Sequence, residues 1–199
     1  MRRVALIVLL SIPTAWAADN RTPFVSKPAS EYPGHQTLDK ITIAAAPFVT
    51  ESQQASAFGK ADLVKYGFLP ILLVIENNTG KTIRLDLKAE YVDAQNKHLE
   101  STPPGDLVLF NGTHKRGWNP PMATPIPLPG RSKKGPLNTW EIEGRAFSVK
   151  LLPNGERASG FLYFETPNKP GSRLYLTGIK DAASGKDFFY FEVPFENEK

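Results

Sequence analysis

Between residues 83 and 91 the chain alternates without a break. Ile83, Leu85, Leu87, Ala89 and Tyr91 are apolar, and Arg84, Asp86, Lys88 and Glu90 between them are charged. A period of two places the sets on opposite faces of a pleated ribbon, which predicts a strand with one buried side. Lys40-Ile41-Thr42-Ile43-Ala44 shows the same alternation and reads as the first strand. Residues 69–75 are nearly all apolar and rich in branched side chains, as in a strand covered on both faces or central in a sandwich. Shorter strands are expected at 106–110, 145–151, 158–165, 173–179 and 187–195, separated by Gly, Pro, Asn and Ser.

Helical signals are few. Thr50-Glu51-Ser52-Gln53 has the form of a capping box, predicting a short helix that ends near Gly59. A further turn at 61–66 should stop at Gly67, where a residue without Cβ tolerates left-handed backbone. Asn77-Asn78-Thr79-Gly80, Pro153-Asn154-Gly155-Glu156 and Asp181-Ala182-Ala183-Ser184-Gly185 read as turns, and the last two predict consecutive antiparallel hairpins toward the carboxy terminus. Little helix and many short strands predict an all-β fold, an immunoglobulin-like antiparallel β-sandwich of about seven or eight strands with a long Pro-rich loop and a short helical segment. Phe161, Phe164, Tyr175, Phe188, Phe189, Tyr190, Phe191 and Phe195 concentrate near the end and are expected in its core.

The amino terminus changes the setting of this domain. Arg2 and Arg3 precede an apolar run over 4–12, Pro13 breaks it, and Ala15-Trp16-Ala17 offers the small residues of a signal-peptidase site, so cleavage is expected after Ala17. At ~1.5 Å per residue the run covers under half of a ~30 Å hydrocarbon layer, too short for an anchor. The organisation expected is a signal peptide over 1–17, an extended tether over 18–38 carrying Pro23, Pro28, Pro33 and Gly34, and a β-sandwich domain over 39–199. The protein is thus expected to be exported, periplasmic or extracellular, with no transmembrane segment in the mature chain. The absence of cysteine excludes disulfides, thiolate metal sites and lipid attachment through cysteine. The formal charge of +4 falls by two with the leader, leaving no concentrated positive field for nucleic acid or an anionic membrane.

Three stretches, Phe58-Gly59-Lys60-Ala61-Asp62-Leu63, Gly67-Phe68-Leu69-Pro70-Ile71 and Val74-Ile75-Glu76-Asn77-Asn78-Thr79, resemble those of uncharacterised secreted bacterial proteins. Gly160-Phe161-Leu162-Tyr163-Phe164 with Gly185-Lys186-Asp187-Phe188-Phe189 is similar to the last strands of telokin-like, immunoglobulin-fold extracellular bacterial domains. The resemblance implies fold and export, and supplies no catalytic residue.

The residues themselves supply no catalytic motif either. His35, His98 and His114 lack metal-binding spacing, and His98 near Asp93 and Glu100 reads as ordinary polar residues around a turn. A G-x-S-x-G elbow is absent. Asp86, Glu90, Asp93, Glu141, Glu143 and Glu192 fit outward strand and turn positions. No metal, cofactor or catalytic residue is assigned, and the chain is read as non-catalytic. Asn20-Arg21-Thr22, Asn77-Asn78-Thr79 and Asn111-Gly112-Thr113 match the N-glycosylation sequon and are discounted for a bacterial protein. The best candidate for recognition is the segment 111–140, with Lys115, Arg116, Trp118, Arg131, Lys133 and Lys134 beside His114 and six prolines; the competing reading is a loop folded over a sheet with its cations solvated. The function expected is a non-catalytic interaction module of the bacterial envelope that binds another envelope or secreted protein through a loop or sheet edge. One alternative is a carbohydrate-binding accessory domain using Trp118, Trp140 and Tyr163, which requires two exposed coplanar rings. Another is a hydrolase whose residues converge from distant positions.

Overall fold

Residues 24–110 and 135–195 are described by a computed structural model. The strands in chain order are β1 (His35–Leu38), β2 (Ile41–Pro47), β3 (Leu69–Asn77), β4 (Ile83–Val92), β5 (His98–Glu100), β6 (Leu151–Leu152), β7 (Arg157–Phe164), β8 (Arg173–Asp181) and β9 (Phe191–Pro194). They form two antiparallel sheets. Sheet A has the order β1-β2-β3-β7 and sheet B the order β5-β4-β8-β9, with β6 also paired to β4. The fold is an all-β sandwich. Between the sheets lies one core, built from Ile41 and Ile43 of β2, Ile71 and Leu73 of β3, and the facing Leu85, Tyr91, Leu176 and Phe191.

A second core covers the other face of sheet A. There Leu72, Val74, Phe161 and Tyr163 pack under three short helices, α1 (Glu51–Phe58), α2 (Pro104–Val108) and α3 (Trp140–Gly144). The near-continuous apolar run of β3 is explained by this double cover: odd positions from Leu69 to Ile75 face sheet B, and Leu72 and Val74 face the helices. Thr50 caps α1 as expected, accepting from Gln53 N while Gln53 Oε1 accepts from Thr50 N at 3.0 Å. Gly67 ends the following 3-10 turn, Val64–Tyr66, in the left-handed region. Buried Gln54 ties these pieces together, donating to the Phe48 carbonyl and accepting from Leu63 N.

The structure differs from the sequence reading at five places. Residues 35–38, read as part of a tether, form β1 and pair with β2, while Phe24 inserts its ring beside Phe48 and Phe161. Residues 106–110, read as a strand, mostly lie in α2: Pro104 presets the first turn, and Leu107 and Phe110, three apart, both turn toward the second core. The 145–151 strand shrinks to β6, preceded by a single parallel bridge of Ala146 to Phe161. The turn at 153–156 does not close a hairpin, because β6 belongs to sheet B and β7 to sheet A. Asn77 fills the corner where these connections cross: fully buried, its side chain donates to Lys81 O and Leu152 O and accepts from Thr79.

Sheet B holds the fifth difference. The alternation of β4 persists, but its pairing with β8 shifts register between Leu85 and Lys88. Gly178 lies opposite at φ 86°, and a Cβ there would overlap the Asp86 carbonyl oxygen. The inward positions of β8 accordingly change parity, from Leu174 and Leu176 to Ile179 and Asp181. The expected 187–195 strand is interrupted at the same level. Asp187 bridges Lys180 and pairing resumes only at Phe191 opposite Leu176. The bulge thereby leaves Phe189 and Tyr190 out of the core, 73% and 54% exposed.

Candidate functional site

The residues nominated from sequence fare unequally. Lys115, Arg116, Trp118, Arg131, Lys133 and Lys134, with His114, lie outside the described residues. Trp140 is half-exposed on α3, with the Arg145 guanidinium 5.6 Å from its ring. Arg145 also donates to Ser56 O and to Ala57 O, tying α3 to the carboxy end of α1. Tyr163 is buried and donates to Ile142 O at 2.7 Å, and burial pushes its phenol above the ordinary value. Trp140 and Tyr163 therefore do not form an exposed platform.

The aromatic side chains that do reach solvent together lie on the outer face of sheet B. Tyr175 projects outward from β8, between inward Leu174 and Leu176, and Tyr190 stacks on it with ring centroids 5.4 Å apart and 30° between planes. His98 of β5 meets Tyr175 edge-on at 5.9 Å. Each of the three arrives by a different route: alternation places Tyr175, the short β4–β5 hairpin places His98, and the interruption before β9 releases Tyr190. The sequence pattern predicts Tyr175, Phe189 and Tyr190 in the core, and all three lie outside it. Phe161, Phe164, Phe191 and Phe195 are indeed buried.

Three polar pairs lie on this face, two beside the rings and Arg84–Asp86 toward the other end of β4. His98 Nδ1 is 2.5 Å from Glu90 Oε2, Arg173 Nε is 3.3 Å from Glu192 Oε2, and Arg84 Nε is 2.9 Å from Asp86 Oδ2. Arg173 donates to Asn96 Oδ1 as well. Lys88 and Glu100, exposed on the same face, have no ion-pair partner among the described residues, so the rings lie among charges of both signs, some paired and some not. The paired ones cost less to cover than isolated charges do.

Two buried carboxylates hold the ends of sheet B. Asp93, read from sequence as outward, is buried after β4; it accepts from Gln95 N and Lys97 N and pairs with Lys169 Nζ at 3.4 Å. The Lys97 backbone hydrogen bond leads the causes that hold its carboxyl below the usual range, against its burial. Asp181 ends β8 in the same way, accepting from Ala183 N and Ser184 N and pairing with Lys81 Nζ at 3.1 Å. The Ser184 backbone donor, followed by Lys81, lowers its pKa from 3.8 to about 2. Both acids are committed to turns.

Among the described residues no group of three or more His, Cys, Asp and Glu side chains is arranged to hold a metal ion, and no helix is long and apolar enough to cross a membrane. The sequence signal for the outer face was Gly178 inside an otherwise regular strand, since an isolated strand glycine marks a bulge and a bulge re-aims side chains. Comparison of the chain with protein-family models gives no match, and comparison with curated proteins gives none either.

Proposed function

We propose that this protein is an exported, non-catalytic interaction module of the bacterial envelope, an immunoglobulin-like sandwich that binds a protein partner across the outer face of sheet B. One observation carries the reading. Sheet A is covered on both faces, whereas the outer face of sheet B, among the described residues, carries no second layer and gathers Tyr175, Tyr190 and His98 at its centre. Tyrosine supplies large, amphipathic contact area with few rotatable bonds, and aromatic centres ringed by polar residues are the common build of protein interfaces. Glu90, Glu100 and Glu192 beside Lys88 and Arg173 give the surroundings of the rings both signs of charge, which fits a mixed protein surface better than a polyanion, which needs a concentrated positive field.

Export rests on the charged and apolar leader over 1–17, and the bacterial setting on the family resemblance of the sandwich strands. The non-catalytic reading rests on the use already made of the polar groups: Asp93 and Asp181 cap turns, and Glu90 and Glu192 pair with neighbours on the sheet. The edges of the sandwich suit capture less well: β1, β5 and β9 are three or four residues long, Gln36 Oε1 accepts from Glu192 N across the β1–β9 seam, and the eight-residue edge β7 is already engaged by Thr102 N, Phe147 N and Arg145 O.

The test is affinity capture from envelope extract with wild type and with a Tyr175→Ser/Tyr190→Ser variant. Wild type should retain a protein that the variant loses while both unfold at similar denaturant concentrations. Equal retention by both would refute the face, and no retained protein from wild type would refute the protein-binding reading.

A further inference from the structure

At the end of the sandwich marked by Asp181, the β1–β2, β3–β4 and β8–β9 connections enclose a cleft of about 420 Å3, within the size range of small-ligand sites. Asp39, Lys40, Lys186 and Phe189 line it, along with the Lys81–Asp181 pair. We propose that this cleft binds an acidic saccharide, a sugar unit carrying a carboxylate.

The first argument is charge. Lys81 is spent on Asp181, but Lys40 and Lys186 have no carboxylate partner among the described residues, leaving two ammonium groups at one opening. Asp187, the other acid near Lys186, is paired with Lys180 at 3.6 Å. Asp39 likewise has no cationic partner among the described residues, so the cleft also offers an acceptor for hydroxyl groups. Beside these groups stands the ring of Phe189, 73% exposed, which can lie against the C–H face of a pyranose. A simple anion would use the lysines and leave the ring and Asp39 idle. A neutral sugar would leave the surplus positive charge, two lysines against Asp39, unanswered. A carboxylate-bearing sugar uses all of them.

The second argument is the backbone. Asp39 and Lys40 are the two loop residues of the β1–β2 hairpin and both have positive φ, 48° and 64°. A turn of this kind forms most easily with Asn-Gly, and residues carrying a Cβ adopt it under strain. Asn78 N donates to Lys40 O at 2.9 Å and holds the turn against the next one. Strain kept at a position whose side chains both line the cleft points to a use for those side chains.

The cleft shares no lining residue with the Tyr175–Tyr190 pair, so either reading can fail alone. The test is titration of the full exported chain with oligosaccharides of galacturonate, alginate and hyaluronan, beside neutral galactose and glucose oligomers, followed by calorimetry. Binding should be confined to one or more acidic oligomers and weaken with added salt. Lys40→Asn with Lys186→Gln, and separately Phe189→Ala, should each weaken it roughly tenfold or more. Asn at position 40 preserves the turn, and thermal unfolding of each variant checks the fold. No binding to any acidic oligomer, equal binding of neutral ones, or wild-type affinity in the folded variants would overturn the proposal.

Discussion

Sheets A and B use similar strands and share one core, yet they meet solvent in opposite ways. Sheet A carries a second apolar face, in which Phe161 packs its ring 4.7 Å from Phe58 and 5.0 Å from Phe48, and short helices close over it. Sheet B carries charges and tyrosines on its outer face instead. The difference follows from composition at alternate positions: β3 is apolar on both sides, whereas β4 alternates apolar residues with Arg84, Asp86, Lys88 and Glu90. A doubly apolar strand must recruit a cover, and an alternating one leaves its polar face free for use.

Substitutions should separate the two sheets by the size of their effects. Phe161→Ala removes the centre of the covered face and should cost about 3–5 kcal/mol in urea unfolding. Asn77→Ala, at the corner between the sheets, strands the carbonyls of Lys81 and Leu152 and should cost roughly 2–3 kcal/mol by the same measurement. Tyr175→Ser with Tyr190→Ser should cost less than about 1.5 kcal/mol, since the lost stack is largely solvated, while partner binding disappears. A large stability loss from the tyrosine pair, or a small one from Phe161, would break the distinction.

Acid should act on sheet B through Asp181. Its pKa is lowered in the folded protein to about 2, so its contribution is complete above the unfolded value of 3.8 and is lost as pH falls through 2. Stability measured by urea titration from pH 5 downward should therefore decline across that interval. Asp181→Asn should lower stability at pH 7 and flatten part of the decline. An unchanged acid profile in the variant would show that the carboxylate is not held as described.

Much of the frame was legible in the sequence because its signals are local. The capping box at Thr50, the alternation of β4 and the double cover of β3 each follow from side-chain order alone. What was not legible depends on where a segment goes after it turns. Pro153-Asn154-Gly155 specifies a turn but cannot say that β6 and β7 enter different sheets. Leu107, Val108, Leu109 and Phe110 form an apolar run too short for periodicity to separate helix from strand, and Pro104 decides it. The candidate face was hidden for a related reason. Eight aromatic residues near the carboxy terminus read alike as core, and only the register shift opposite Gly178 sends Phe189 and Tyr190 outward.

The difference between the covered and open faces is most directly tested by crosslinking in cells that produce the protein. A photoreactive phenylalanine replaces Tyr190 on the open face in one strain and Ala55, exposed on α1, in another. A discrete protein adduct from position 190 and none from position 55 is the expected result. Adducts from both positions alike, or from position 55 alone, would contradict the assignment of the outer face of sheet B as the binding surface.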